Sequence, residues 1–142
     1  MLFPPPAVQK VQSDPRKVRG GVSSVRILIV EDFPQFRQFI CSMLGERNDL
    51  QIIGEAADGL EAVQKAVELK PDLILMDIGL PSLNGIEAAR QIRKLVPQSK
   101  IIFLSQESSS EVMQEALSLG ARGYVVKIKA TSELMTVIDA AI

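Results

Sequence analysis

Three carboxylates in this sequence stand where buried apolar segments end. Asp77 closes the apolar run Leu73–Met76, and Glu31 and Asp32 follow the run Val25–Val30. Runs of this kind are typical of strands buried on both faces of a parallel sheet. The carboxyl ends of such strands lie at the edge where open α/β sheets bind their ligands. Carboxylates held close together repel each other, so the pattern predicts a raised pKa for at least one of them unless a cation intervenes.

A hydroxyl and an ammonium group end two further apolar segments. Ser105 closes the segment 100–104, and Lys127 closes the segment 122–126. An all-oxygen site that is open to water suits Mg²⁺, which keeps several water molecules and often also binds phosphate oxygens. Beside such an ion Asp77 would stay ionised and could attack phosphorus, while the hydroxyl and the ammonium would stabilise the added negative charge. The set has the composition of a site for a carboxylate that becomes phosphorylated.

Each of these residues also has an ordinary structural explanation. Glu31 and Asp32 could merely cap the following helix. Ser105 could be a small residue before a loop, and Lys127 a solvated strand end. Chance would place all of these residues at one edge of the sheet far less often than any one of them. Their combination favours a functional site.

Alternating strand and helix patterns position these residues. Five β-α units follow one another from Val25 onward, with strands predicted at 25–30, 50–54, 73–77, 100–105 and 122–127. Strict alternation predicts an α/β fold with a parallel sheet, helices on both faces and right-handed crossovers. For five strands the flavodoxin-like (βα)5 doubly wound sheet, with strand order 2-1-3-4-5, is the natural arrangement. Strands 1, 3, 4 and 5 are then neighbours.

The helices between the strands are predicted from apolar residues at helical spacing. Asp32 is placed to cap the first helix, Thr131 to cap the last, and Gly120 to end the fourth. The residues predicted to face the sheet are Phe36, Phe39, Ile40, Met43 and Leu44; Leu60, Val63, Ala66 and Val67; Ile86, Ala89, Ile92, Leu95 and Val96; Val112, Met113, Ala116 and Leu117; and Leu134, Val137, Ile138 and Ala141.

Composition limits the classes of function. The 142 residues, 46% of them hydrophobic, suit one domain with a single core, and the net charge of −1 gives no electrostatic signature for nucleic acid or an anionic membrane. Histidine is absent, which excludes histidine-based catalysis and histidine metal ligands. A single cysteine, Cys41, and no membrane-length apolar run make the cytoplasm the expected compartment. Residues 1–24 carry prolines, glycines and basic residues without periodicity, which predicts a flexible extension before a domain at 25–142.

From Val25 to Ile142 the chain resembles the receiver domain of bacterial two-component response regulators. The resemblance rests on Glu31-Asp32, on the segment 75–85, on Ser105 and on the segment 120–127. The amino-acid sequences of these segments are similar to those of the branch of regulators that carry a C-terminal helix-turn-helix DNA-binding domain. The resemblance implies a phosphorylation-driven signalling switch, cytoplasmic and acting in transcription regulation in the full-length protein. It implies a phosphoacceptor that assists its own phosphorylation and dephosphorylation rather than an enzyme.

The resemblance also implies roles for single residues. Asp77 would accept a phosphoryl group from a sensor histidine kinase or a phosphotransfer protein. Mg²⁺ would be bound by Glu31, Asp32, Asp77 and the backbone carbonyl of Gly79. Lys127 would pair with the phosphoryl group. Ser105 would be the switch hydroxyl, and Tyr124 the aromatic residue coupled to it. A homodimer is possible, whereas direct DNA binding by this chain is not expected.

Two departures from the family pattern and two rival functions stay open. Ile128 follows Lys127 where many receivers have a proline in a cis peptide bond, which predicts either a trans bond with a reshaped loop or a strained cis bond. Ser105 stands where threonine is common, which predicts a looser switch. One rival is a receiver that binds partners without phosphorylation. The other is a phosphate- or flavin-binding enzyme, which the acidic turn 31–34 and the absence of glycine-rich phosphate motifs disfavour.

Overall fold

A computed structural model describes residues 24–142, in which strands and helices alternate. The strands are β1 (Val25–Val30), β2 (Leu50–Ala56), β3 (Leu73–Asp77), β4 (Lys100–Ser105) and β5 (Gly123–Val126), and the helices are α1 (Pro34–Gly45), α2 (Gly59–Leu69), α3 (Gly85–Leu95), α4 (Ser110–Ser118) and α5 (Ala130–Ala141). Except for Ser24, the extension predicted at 1–24 lies outside the described residues. None of the helices in the described range combines the length and hydrophobicity needed to cross a membrane.

The strands form one five-stranded parallel sheet in the order β2-β1-β3-β4-β5. The predicted flavodoxin-like topology is therefore confirmed. Because β1 and β4 flank the central strand β3, the carboxyl ends of these strands meet at one edge, called here the C-terminal edge of the sheet.

Alternate residues of the strands feed two separate cores. Leu28, Ile74 and Phe103 pack against α2, α3 and α4 on one face of the sheet. Ile29 and Leu75 pack against α1 and α5 on the other face. Burial on both faces explains why the strands read as unbroken apolar runs, and it holds the strand ends rigidly in place.

Five of the residues predicted to face the sheet are exposed instead. Leu60, Val67, Leu95, Leu117 and Phe39 keep between 38% and 59% of their surface. On α2 the buried face consists of the small residues Gly59, Ala62 and Ala66, which let the helix approach the sheet closely. Periodicity counts large apolar residues most heavily, so it placed the buried face of this helix about one position away from the observed one.

Two predicted helix caps are wrong. The cap position of α1 is taken by Phe33, and Asp32 makes no side-chain capping bond there. A 3₁₀ turn at Lys127–Lys129 runs directly into α5, so that helix begins at Ala130 and Thr131 lies inside its first turn. By contrast, α4 ends before Gly120 as predicted, and Gly120 adopts a φ of +85° that favours glycine.

Two strand boundaries also differ from the prediction. Strand β2 continues through Ala56 because pairing with β1 resumes after a register shift, which brings Glu55 beside Ile29. Strand β5 ends at Val126, and Lys127 opens the 3₁₀ turn. Among residues 24–142 no peptide bond is cis, so the trans alternative holds for the bond between Lys127 and Ile128.

Candidate functional site

The predicted acidic residues converge at the C-terminal edge of the sheet. Asp77 is the last residue of β3 and is 4% exposed, while Glu31 follows β1 and is fully buried. Asp32 is exposed beside them. Carboxylate oxygens of Glu31, Asp32 and Asp77 lie within 4.8 Å of one another. The three carboxylates could therefore share one metal ion.

Lys127 supplies the positive charge nearest to the buried acids. Its Nζ atom lies 2.7 Å from Oε1 of Glu31 and 3.2 Å from Oδ2 of Asp77. The same ammonium stands 5.0 Å from the centre of the Phe36 ring, which shields it on one side. One ammonium thus serves two carboxylates, which leaves the cluster with excess negative charge.

Burial and the excess negative charge both affect the protonation of Asp77. Burial raises the pKa of Asp77 to about 6, the charge of Glu31 adds to the effect, and Lys127 opposes it. A raised pKa is what the sequence predicts for carboxylates held close together, and the single ammonium of Lys127 offsets only part of the effect. Mg²⁺ bound here would reverse the effect by favouring the ionised carboxylate.

Backbone groups orient the two buried carboxylates. The amide of Phe33 donates to Oε2 of Glu31 at 3.1 Å, and the amide of Gly79 donates to Oδ1 of Asp77 at 3.3 Å. Gly85 allows the start of α3 to approach β3, since a Cβ atom there would lie 2.1 Å from the carbonyl oxygen of Asp77. The loop after Asp77 is thereby folded back against its own strand, and it carries Gly79 to the wall of the site.

A cavity of about 270 Å³ opens at this edge. Its lining includes all of the predicted site residues except Tyr124: Glu31, Asp32, Asp77, Gly79, Ser105 and Lys127. The cavity has room for a hydrated ion together with a phosphoryl group, and carboxylate and carbonyl oxygens are the ligands that Mg²⁺ prefers. The donor set therefore fits the predicted metal.

Ser105 and Tyr124 are linked through a residue that the sequence analysis did not single out. The amide of Glu107 donates to Oγ of Ser105 at 3.0 Å, and the Tyr124 hydroxyl donates to the carbonyl of Glu107 at 2.9 Å. Both side chains thus bond to backbone groups of the same residue in the loop between β4 and α4. The sequence offered no signal for this bond beyond the position of Glu107, two residues after Ser105.

An apolar groove lies next to the charged cavity and was also missed. It has a volume of about 410 Å³ and is lined mainly by Phe33, Phe36, Phe39 and Ile128. Ile128 is 89% exposed and Phe33 57% exposed. Phe33 and Lys127 border both the groove and the cavity. Of these residues only Phe36 and Phe39 were predicted to face the sheet, and Phe39 is exposed instead.

Comparisons with known proteins identify the family of the chain. A family model described as the response regulator receiver domain matches residues 27–139. The response regulator protein VraR of Staphylococcus aureus is 37% identical over 111 residues, which cover 78% of this chain and 53% of VraR. The chain thus spans about half the length of this curated relative.

Two solved structures share the fold. The response regulator domain of Thermotoga maritima CheB has a TM-score of 0.75 and 35% identity, covering 83% of this chain and 96% of that one. A two-component response regulator of the LuxR family from Aurantimonas sp. SI85-9A1 has a TM-score of 0.79 and 35% identity, covering 83% and 84%.

Proposed function

The chain belongs to the response regulator receiver family of phosphorylation switches, and we propose that its phosphoacceptor is Asp77. The carrying observation is the position of this carboxylate, 3.2 Å from the Lys127 ammonium and within 4.8 Å of the oxygens of Glu31 and Asp32. Glu31 is fully buried and already paired with Lys127 and with a backbone amide. Asp32 is exposed to solvent. Asp77 therefore best combines access to the cavity with surrounding charges that can stabilise a product.

We infer that Glu31, Asp32 and Asp77, together with the backbone carbonyl of Gly79, hold Mg²⁺. The argument is the excess of negative charge, since among residues 24–142 only Lys127 forms a salt bridge with the two buried carboxylates. When bound, the ion supplies positive charge to the phosphoryl oxygens and orients them for in-line transfer.

The proposed reaction is transfer of a phosphoryl group to a carboxylate. An oxygen of Asp77 forms a bond to phosphorus while the bond from phosphorus to the donor breaks, and that electron pair leaves with the donor. The donor in the cell is a phosphohistidine of a sensor kinase or of a phosphotransfer protein. The Lys127 ammonium pairs with a phosphoryl oxygen, in the role it now has towards Asp77. The protein is then a phosphoacceptor that assists its own phosphorylation and dephosphorylation, and not an enzyme acting on other substrates.

Phosphorylation would be transmitted through Ser105. A phosphoryl group in the cavity would accept a charge-assisted hydrogen bond from the Ser105 hydroxyl. The Glu107 amide, which now donates to this hydroxyl, would then have to move with it or lose the bond. Because Tyr124 holds the carbonyl of the same Glu107, its side chain is coupled to that adjustment. The result is a two-state change in the surface formed by residues 105–142.

The partners follow from the surroundings of the site and from the relatives. The exposed apolar groove beside Asp77 suits docking of a protein donor, so a kinase or phosphotransfer protein is the proposed partner, met in the cytoplasm. Since the LuxR-family neighbour is a two-component response regulator, we propose that the switch controls transcription through an output domain. A second copy of the domain could read the 105–142 surface, and DNA contact is left to the output domain.

The proposed chemistry is tested by incubating the protein with acetyl phosphate and measuring its intact mass. With Mg²⁺ we expect one added phosphoryl group, labile to hydroxylamine as an acyl phosphate is. With a chelator in place of Mg²⁺ we expect no adduct. An adduct that forms equally well with chelator would contradict the metal assignment, and an adduct resistant to hydroxylamine would contradict the carboxylate assignment.

A further inference from the structure

Arg37 joins three elements behind the acidic cluster. It lies on α1, and its Nη1 atom donates to the backbone carbonyl of Glu31 at 2.7 Å. Its Nε atom lies 3.0 Å from Oε1 of Glu55 on β2. The Arg37 side chain is 23% exposed and that of Glu55 is 49% exposed. The planar guanidinium thus ties the turn after β1 to the neighbouring strand, a geometry that an arginine fork makes in two directions at once.

The bonds around Glu31 show what this tie holds in place. The amide of Glu31 donates to the carbonyl of Ala56 at 2.9 Å, and its carboxylate accepts from the amide of Phe33 at 3.1 Å. Arg37 adds the bond to the Glu31 carbonyl, and its own amide donates to the carbonyl of Phe33 at 3.0 Å. Residues 31–33 are therefore fixed from both sides, and this turn carries two of the three carboxylates.

We propose that Arg37 is a positioning residue for the metal site, anchored by Glu55, which holds the turn so that Glu31 and Asp32 face Asp77 before any ion arrives. This inference rests on the proposed Mg²⁺ site. Glu55 has a second effect in this arrangement, because its negative charge offsets that of the guanidinium. A positive side chain can then stand behind an acidic site without repelling the cation that the site binds.

Electrostatics alone and positioning predict opposite signs for one experiment. If Arg37 were only a nearby positive charge, its removal would strengthen Mg²⁺ binding, since the site would lose a repelling cation. If Arg37 positions the acids, its removal would weaken Mg²⁺ binding. Part of the binding free energy would then be spent on ordering the carboxylates of Glu31 and Asp32.

The test is calorimetric titration of wild-type protein and the variant Arg37→Met with Mg²⁺. We expect the dissociation constant to rise about tenfold in Arg37→Met, the low end of what loss of a supporting contact costs at metal sites. Arg37→Lys keeps the charge but cannot make both bonds, so we expect it to fall between the two. Unchanged or tighter binding in Arg37→Met would overturn the proposal.

The matched control is Arg47→Met. Arg47 lies in the loop between α1 and β2, and it pairs with Asp49 of the same loop at 2.7 Å and with Asp139 on α5 at 2.9 Å. We expect this variant to melt at a lower temperature and to bind Mg²⁺ as the wild type does. Equal weakening in both variants would mean that general destabilisation explains the effect, which also overturns the proposal.

A second measurement needs no metal. Hydrogen exchange of the Phe33 amide reports on the bond to Glu31, and we expect it to be at least about fivefold faster in Arg37→Met and unchanged in Arg47→Met. If the wild type failed to bind Mg²⁺, the proposed metal site would be wrong, and the exchange rates would still decide whether Arg37 holds the turn. Unchanged exchange in Arg37→Met would refute that role in either case.

Discussion

The aspartates at the two ends of strand β3 differ in the groups that surround their carboxylates. Asp72, just before the strand, accepts the amide of Arg26 at 2.8 Å and donates its own amide to the carbonyl of Arg26 at 2.9 Å. Close by, the buried hydroxyl of Ser99 donates to the carbonyl of Pro71 at 2.6 Å. Asp77, at the other end, faces the carboxylate of Glu31 with one shared ammonium between them.

The difference suits one end of the strand to stability and the other to the function that we propose. At the opposite edge of the sheet, called here the N-terminal edge, the side chains of Asp72 and Ser99 bond to neutral backbone groups. The guanidinium of Arg26 donates to the carbonyls of Leu69 and Lys70 at the end of α2. Such bonds contribute to folding stability. At the C-terminal edge, like charges are buried together, which costs stability unless a further cation binds between them, and such clusters are typical of functional sites.

The largest expected effect is that of Lys127→Met at the C-terminal edge. The substitution leaves Glu31 and Asp77 buried without their ammonium, and we expect the free energy of unfolding of the metal-free protein to fall by about 3 kcal/mol. Urea denaturation with a chelator measures it, and Mg²⁺ should restore part of the loss. The exposed Lys129→Met is the control. A loss no greater than that of the control would mean that Lys127 does not compensate the acids.

The opposite sign is expected for Asp77→Asn. Removing one of two buried like charges should raise the free energy of unfolding of the metal-free protein at pH 7.5 by about 2 kcal/mol, judged from the raised pKa of Asp77. Asp72→Asn, which weakens a satisfied bond, should lower it. If both substitutions destabilise the protein, the two ends do not differ as described.

The raised pKa of Asp77 also makes the difference in stability between Asp77→Asn and the wild type depend on pH. Because folding raises the pKa of Asp77 from 3.8 to about 6, protonated Asp77 favours the folded state, and this stabilisation is complete below about pH 4 and lost as the pH rises through about 6. The advantage of Asp77→Asn over the wild type should therefore shrink as the pH falls from 7.5 to 4.5. Denaturation curves of both proteins across this range, with chelator present, measure it. A gap that widens at low pH would contradict the assigned cause.

A smaller effect is expected at the N-terminal edge for Ser99→Ala. Loss of the buried hydroxyl leaves the Pro71 carbonyl without its donor, and we expect a decrease of about 1 kcal/mol in the free energy of unfolding. Mg²⁺ affinity should stay unchanged, as should the rate of phosphoryl transfer from acetyl phosphate. Ser132→Ala, on the exposed side of α5, is the control. A change in metal affinity would mean that the two edges are coupled.

The smallest effect is expected for Tyr124→Phe. The hydrogen bond from the Tyr124 hydroxyl to Glu107 is exposed, so its loss should cost about 0.5 kcal/mol or less and leave Mg²⁺ affinity unchanged. Hydrogen exchange in the loop after β4 should become faster, since the backbone of Glu107 loses one of the two side-chain hydrogen bonds that restrain it. Unchanged exchange would separate Tyr124 from the proposed switch.

The strand order and the composition of the site could be predicted from the sequence because both depend on local signals. Buried strands read as apolar runs, and a polar residue that ends such a run, as Asp77 does, marks the edge of the sheet. The start of α5 could not be predicted because a 3₁₀ turn precedes it, and the buried face of α2 could not be predicted because small residues form it. The link between Arg37 and Glu55 spans separate elements, and no local pattern in the sequence signals it.

The central claim is that a residue at the C-terminal edge, Asp77, accepts the phosphoryl group. The most direct measurement is the intact mass of wild-type protein, Asp77→Asn and Asp72→Asn after incubation with acetyl phosphate and Mg²⁺, side by side. We expect one phosphoryl group on the wild type and on Asp72→Asn, and none on Asp77→Asn. A phosphoryl adduct on Asp77→Asn comparable to that on the wild type would contradict the claim.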